Sequence, residues 1–164
     1  NHLCYLLEEE KTLFTGDHVM QGSTVVINPP DGDMAAYLAS LEALLEEDLQ
    51  WLAPGHGFLI PRPHEAVRKL IQHRLAREAK VAAAGQALGP AELATLLERV
   101  YDDVPARMHP VAERSLRAHL LKLAGEGRVV ERSGRWETIH FTSAATTALS
   151  SASSAGSGAS EAAT

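Results

Sequence analysis

Two short segments decide the fold: TLFTGD at residues 12–17 and WLAPGHG at residues 51–57. In each segment an apolar run meets a glycine, and the side chain that follows the glycine is Asp17 in the first segment and His56 in the second. A short apolar run that stops at Gly or Pro is typical of a buried strand followed by a turn. Because reactive groups concentrate in the loops beyond strand ends, Asp17 and His56 are the first candidate site residues.

The residues around these two segments predict a layer of strands covered by helices. Residues 3–7 and 12–15 are apolar runs joined by a charged turn, which indicates a β-hairpin, and residues 24–27 predict a third strand. The prolines and glycine of residues 28–32 indicate a loop. A helix over residues 34–47, capped by Asp33, follows from one apolar stripe at helical spacing: Met34, Tyr37, Leu38, Leu41 and Leu45.

A long helix and a second small unit follow. The helix is predicted over residues 64–84, where Gly85 ends it. One more helix is predicted to begin near Pro90 and another near Val111. In residues 128–139 apolar and polar side chains alternate on both sides of the turn Ser133-Gly134, which indicates a β-hairpin. Helix, helix and hairpin is the winged-helix order. We therefore expect domains at residues 1–85 and 86–141, and a disordered Ser/Ala-rich tail at 142–164, which has too few large apolar groups to fold.

Composition and charge exclude several classes of protein. With 164 residues and 45% hydrophobic content the chain is globular, and its apolar runs are too short to cross a bilayer. One cysteine forms no internal disulfide, so we expect a cytoplasmic protein. The first 63 residues hold ten acidic and two basic side chains, which argues against a broad nucleic-acid surface there. An apolar run directly after Asn1 predicts that the chain is cut from a longer one.

Asp17 and His56 each have an ordinary explanation as well as a chemical one. A lone Gly-Asp more often accepts turn hydrogen bonds than binds a metal, and the loop histidine alone is about evenly balanced between the two roles. Glycines on both sides of His56 leave its imidazole unobstructed. The two segments in this order, separated by a loop and a helix, favour a shared metal site.

At this point the chain resembles a known family. Residues 14–17 and 52–57 resemble the last two metal-ligand motifs of the metallo-β-lactamase fold. More narrowly, residues 22–26, the start of the helix at Asp33, residues 73–78 and the winged-helix-like end resemble the branch that includes β-lactamase-like protein 2. The resemblance covers about residues 1–141. It implies an α+β architecture: the C-terminal half of an αββα sandwich, followed by a small winged-helix-like domain.

The same resemblance implies a metal-dependent hydrolase. In that family two divalent ions, usually zinc, share a bridging aspartate, which matches Asp17, and His56 completes the ligand set of one ion. The His-x-His-x-Asp-His ligands are missing, and His2 matches a histidine that is not a ligand. We therefore expect this chain alone to be inactive. In the complete protein, a metal-activated water would hydrolyse an ester, thioester or phosphodiester, either a small molecule or RNA.

Several other residues carry weaker expectations. His18 should face away from the metal, because adjacent strand residues point to opposite sides. Ser23 and Thr24 are candidates for the wall of a substrate pocket. His73, Arg74 and Arg77 form either a solvated basic face, the favoured interpretation, or a face that bridges domains. The alternative function is a nucleic-acid-binding winged helix on an inactive scaffold, with these basic candidates: Arg114, Arg117, Lys122, Arg128, Arg132 and Arg135.

Overall fold

The computed structural model describes residues 2–139, in which helices and strands make two small sheets. In chain order the elements are β1 (Tyr5–Leu7), β2 (Thr12–Gly16), α1 (Met34–Ala43), β3 (Trp51–Pro54), β4 (Ile60–Pro61), α2 (Pro63–Leu88), β5 (Ala91–Glu92), α3 (Leu93–Val100), α4 (His109–Gly125), β6 (Val129–Arg132) and β7 (Arg135–Thr138). Short 3₁₀ turns precede β2 and α4. The predicted tail at 142–164 lies outside the described residues.

The first sheet has the strand order β1-β2-β3-β4. Strands β1 and β2 form the predicted antiparallel hairpin, whereas β2 and β3 run parallel, with Leu13 opposite Leu52. Parallel neighbours need a crossover connection, and the chain between them supplies it with α1. The parallel pairing matters for the site, because it brings the carboxyl ends of β2 and β3 to the same edge of the sheet.

The apolar stripe of α1 covers one face of this sheet. Asp33 caps the helix as predicted, accepting a hydrogen bond of 2.7 Å from the backbone N–H of Ala36. The helix ends at Ala43, four residues before the predicted end, because the chain then turns toward β3. The core that it closes contains Leu13, Ile27, Met34, Tyr37, Leu38, Leu41, Leu52 and Val67.

Residues 24–27 do not form the predicted strand. They lie outside both sheets, although Ile27 is buried in the core as a strand residue would be. The backbone carbonyl of Val25 instead accepts a hydrogen bond from the guanidinium of Arg74 in α2. The Arg74 side chain therefore satisfies the Val25 carbonyl, which a neighbouring strand would satisfy if residues 24–27 formed the predicted strand.

The second sheet has the order β5-β7-β6. Strands β6 and β7 form the predicted hairpin around Ser133 and Gly134, and β5, which the sequence did not indicate, pairs Ala91 with Trp136. Trp136 is buried against the apolar faces of α3 and α4. These elements give the predicted helix, helix and hairpin order. No helix within residues 2–139 is both long enough and apolar enough to span a bilayer.

Helix α2 belongs to both cores. Its residue Val67 packs in the core under the first sheet, whereas Val81 and Ala84 pack in the core of the second unit. The prediction that Gly85 ends the helix is wrong, because the helix continues to Leu88. A Cβ at Gly85 would lie 2.8 Å from Oγ1 of Thr138, so the glycine lets β7 pack against the helix. A domain boundary near residue 85 stays a prediction.

The basic side chains of α2 are not a solvated face. His73 is exposed as expected, but Arg74 is only 4% exposed, and Arg77 reaches across to the end of α3. Arg77 donates hydrogen bonds to the carbonyl of Val100, at 2.7 Å, and to the carboxylate of Asp103, at 2.8 Å. The hydrogen bond from Arg77 holds the pKa of the Asp103 carboxyl well below its usual range. The favoured interpretation is therefore wrong for both arginines, and Arg77 bridges two elements.

The core of the second unit can be tested on helix α4. Leu116 is fully buried, and Leu121 on the same helix is 43% exposed. We expect Leu116→Ala to lower the free energy of unfolding by about 2–5 kcal/mol, since it removes buried apolar volume and leaves a cavity. Leu121→Ala should change it by about 1 kcal/mol or less. Urea unfolding measures both, and equal losses would contradict this placement of the core.

A buried histidine in α4 should make stability depend on pH. Burial, and then the positive charge of Arg74 and other cations, lowers the pKa of His119 to about 3, while an unfolded histidine titrates near 6.5. Below that value the unfolded chain takes up a proton that the folded chain does not. The free energy of unfolding therefore falls as the pH drops from about 6.5 toward 3.

We expect His119→Gln to flatten this slope between pH 7 and pH 5 in urea unfolding experiments. His64→Gln, at a half-buried position in α2 where the imidazole contacts the carbonyl of Glu47 at 2.9 Å, is the control and should leave the slope as it is. An unchanged slope in the His119 variant would contradict the assignment.

Candidate metal centre

Asp17 lies in a tight turn at the end of β2. Gly16 has a φ of +51°, and the register between β2 and β3 shifts between Phe14 and Gly16. A Cβ at Gly16 would lie 2.6 Å from the ring of His2. The turn is closed by the hydroxyl of Thr15, which is fully buried and donates to the carbonyl of Val19 at 2.8 Å. The backbone N–H of His18 donates to the carbonyl of Thr15 at 2.9 Å. These bonds fix the backbone that carries the Asp17 carboxylate.

His56 lies in a loop that is hydrogen-bonded to this turn. The N–H of Gly55 donates to the carbonyl of Gly16 at 2.8 Å, and the N–H of Gln21 donates to the carbonyl of His56 at 3.3 Å. The side chain of Gln21 also accepts from the N–H of Phe58 at 2.9 Å. A Cβ at Gly55 would lie 3.2 Å from Oδ1 of Asp17, so this glycine allows the two loops to approach.

The two predicted ligands converge. Nε2 of His56 lies 3.4 Å from Oδ1 of Asp17, and the side chains are 72% and 57% exposed. Two ligands bound to one tetrahedral ion at about 2.0–2.1 Å lie about 3.3 Å apart, so the separation fits a shared metal ion. Imidazole nitrogen and carboxylate oxygen are also donors that zinc accepts. Within residues 2–139 no third His, Cys, Asp or Glu completes such a group.

His18 does not face away from Asp17, contrary to expectation. Both side chains line the same cavity, because residues 15–19 turn back on themselves and strand alternation no longer applies. The imidazole of His18 lies 3.2 Å from Oγ of Ser40, and its ring packs edge-on against Tyr37 at 5.2 Å. Burial, and then the nearby His2, lowers the pKa of His18. Strand periodicity alone gave no signal for this contact.

The remaining sequence candidates lie elsewhere. Among the described residues, the cavity wall begins at Val25, and neither Ser23 nor Thr24 contributes to it. Gln21, which joins the two loops, was not singled out from the sequence, because a lone glutamine in a loop carries no pattern that predicts a role. Three of the basic candidates in α4 and the β6–β7 hairpin, Lys122, Arg128 and Arg132, lie within 4 Å of carboxylates.

The close approach of the two loops can be tested at its glycines. Gly57 has a φ of +97°, and a Cβ there would lie 2.6 Å from Cβ of Gln21. Gly22 also has a positive φ, +72°, but a Cβ there would meet no atom within 4 Å. Gly22→Ala should therefore cost about 1–2 kcal/mol of stability through backbone strain alone. Gly57→Ala should cost about 1–3 kcal/mol more through the clash. Urea unfolding of both variants measures the difference, and equal costs would contradict the crowding.

Comparison with known proteins places this geometry in a family. The profile of the "Beta-lactamase associated winged helix domain" matches residues 93–136. An atrochrysone carboxyl ACP thioesterase from Aspergillus fumigatus is 30% identical over 144 residues, which cover 79% of this chain and 44% of that protein. The beta-lactamase-like protein 2 homolog of Drosophila melanogaster is 31% identical over 126 residues, covering 76% of this chain and 42% of that protein. The chain thus spans less than half the length of these curated relatives.

Two solved structures have a similar fold. A metallo-beta-lactamase family protein from Thermus thermophilus aligns with a TM-score of 0.68 at 23% identity, covering 83% of this chain and 44% of that one. A beta-lactamase domain protein from Burkholderia ambifaria aligns with a TM-score of 0.74 at 22% identity, covering 83% of this chain and 43% of that one. With the matched relatives and the domain profile, they show that the chain belongs to the metallo-β-lactamase-fold family with a C-terminal winged helix.

Proposed function

We propose that this chain contributes Asp17 and His56 to the metal site of a hydrolase that cleaves a thioester or a related ester. The observation that carries the proposal is the 3.4 Å approach of the two side chains across loops that glycines bring together. Two protein ligands are fewer than the three of a typical catalytic zinc site. The proposed active unit is therefore the complete gene product that contains this chain, and we expect the 164-residue chain alone to be inactive.

The donor types support zinc as the metal, and two ions are proposed from the family resemblance. When bound, such cations lower the pKa of water and polarise the carbonyl oxygen of the substrate. The protein's part is to hold both ligands in position before the metal arrives. The hydrogen bonds of Gly55 and Gln21 lock the loops together, so little backbone ordering is left for the binding step. We also propose a cytoplasmic location.

The relatives and the charge beside Asp17 favour a thioester or ester over RNA. Two relatives, from Aspergillus fumigatus and Aspergillus chevalieri, carry the name thioesterase. Apart from the proposed ligand Asp17, the adjacent cavity is lined by two aspartates, Asp31 and Asp33, and by no lysine or arginine of the described chain. A polynucleotide that extends from the metal into this cavity would find no side-chain cation for its further phosphates, which favours an ester or thioester.

The alternative function, a nucleic-acid-binding winged helix, is weakened by the carboxylates that pair with part of its basic candidates. Glu126 pairs with Lys122 at 2.6 Å and with Arg128 at 3.1 Å, and Glu137 lies 3.8 Å from Arg132. Carboxylates of the same unit thus neutralise half of the six basic candidates. Nucleic-acid binding depends on cations left available for phosphates, so we do not favour this function.

Removing either ligand tests the proposal in the complete gene product. We expect Asp17→Asn and His56→Ala each to lower thioesterase activity by about 100-fold or more, because each opens the coordination shell of a catalytic ion. Bound zinc, measured by elemental analysis, should fall in parallel. Asp48→Asn is the matched control, since Asp48 is exposed and pairs with Lys11.

Two results would contradict the proposal. One is full zinc content and full activity in both ligand variants. The other is a complete, folded wild-type protein that binds no stoichiometric metal.

A further inference from the structure

A cavity of about 620 Å³ opens directly beside Asp17. It lies between α1 and the segment of residues 25–33, and its volume is in the range of small-molecule sites. One wall is apolar and includes Val25, Ile27 and Leu44. Because Asp17 belongs to its lining, a ligand in the cavity would extend to the proposed metal site.

The charged groups that line the cavity are all acidic. Asp31 and Asp33 lie on the side of α1, whereas Asp17 is the proposed metal ligand, whose charge is offset when the cations are bound. The nearby cation, Arg74, is buried and is not part of the lining: it donates to the carbonyl of Val25 and lies over the ring of Tyr37 at 5.4 Å. A carboxylate or a phosphate of the ligand near Asp31 and Asp33 would therefore be repelled, and an uncharged group is favoured there.

The hydrogen bonds of Ser40 fix the tautomer of His18. The hydroxyl of Ser40 has one proton and donates it to the carbonyl of Tyr37 at 2.7 Å, since a carbonyl can only accept. At the 3.2 Å contact, Nε2 of His18 must therefore donate to Oγ of Ser40. In a neutral imidazole this leaves Nδ1 as an acceptor. Within residues 2–139, Nδ1 makes no hydrogen bond and is not sealed off from solvent.

We infer that this cavity binds the acyl part of the substrate and selects an uncharged acyl chain that bears a hydroxyl group, which donates to Nδ1 of His18. The apolar wall takes the carbon chain, and the carboxylates exclude acidic acyl groups. The inference rests on the proposed thioesterase function and adds the substrate class. His18 is a specificity-determining residue in this arrangement.

The test compares thioesters that differ only in the acyl group, at pH 8, on the zinc-loaded complete gene product. N-acetylcysteamine thioesters of butanoate, of its hydroxybutanoate isomers and of succinate are the probes, because the carrier is uncharged. We expect kcat/KM for the best hydroxybutanoyl isomer to exceed that for butanoyl by about tenfold, the effect of one hydrogen bond. The succinyl ester should be the poorest substrate. Equal values, or a preference for succinyl, would overturn the inference.

Variants at His18 separate the acceptor from the shape of the ring. His18→Phe keeps an aromatic ring against Tyr37 and should abolish the hydroxyl preference, measured as the ratio of kcat/KM for the hydroxybutanoyl and butanoyl esters within the same variant. His18→Asn restores an acceptor at the δ position and should recover part of the preference. His73→Phe, at an exposed histidine of α2, is the control and should keep the full preference. A preference that survives in His18→Phe would overturn the inference.

A binding measurement separates this inference from the proposed function. Saturation-transfer NMR with uncharged hydroxybutanamide needs no turnover, and we expect a signal with the wild type that is lost in His18→Phe. Equal signals in both would overturn the cavity assignment even where thioesters are hydrolysed. If the metal-loaded protein hydrolyses no thioester at all while hydroxybutanamide still binds through His18, the proposed function fails and the binding site stands.

Discussion

The site depends on one close approach of two backbone segments at the ends of β2 and β3. The hydrogen bond from Gly55 N–H to the Gly16 carbonyl, 2.8 Å long, continues the parallel pairing of the strands past their last apolar residues. A Cβ on Gly55 would lie 3.2 Å from Oδ1 of Asp17, so any side chain there would crowd the carboxylate. The glycine therefore eases the approach of the carboxylate to the imidazole.

The second constraint is the burial of charge along α2. Glu78 is 5% exposed, and it meets the ammonium of Lys122 at 2.9 Å and the imidazole of His119 at 3.6 Å. A buried charge is tolerated when it is paired, and here the paired charge is the ammonium of Lys122 on α4. Arg77, whose side chain is 12% exposed, donates to the carboxylate of the exposed Asp103, which follows α3. Because hydrogen-bonded ion pairs are directional, these two pairs fix the position of α2 relative to α4 and to the end of α3, whereas apolar contacts are not directional.

The sequence predicted the parts of the fold that local patterns encode. The β1–β2 hairpin, the capped helix after Asp33 and the β6–β7 hairpin follow from periodicity and turn residues. The convergence of Asp17 and His56 also followed, because both come at strand ends, whereas their role as metal ligands stays a prediction. The orientation of His18 and the burial of Arg74 did not follow, since a turn closed by Thr15 and packing between distant elements leave no periodic signal.

The sharing of α2 has a consequence for how such proteins can be recombined. Joining two homologous sequences at Gly85 would divide the continuous helix α2. It would also separate Val81 and Ala84 from the second core, in which they pack. A chimera that exchanges the winged helix must therefore include the last turns of α2. The suitable junction lies between Val67 and Arg77, where the helix passes from one core to the other.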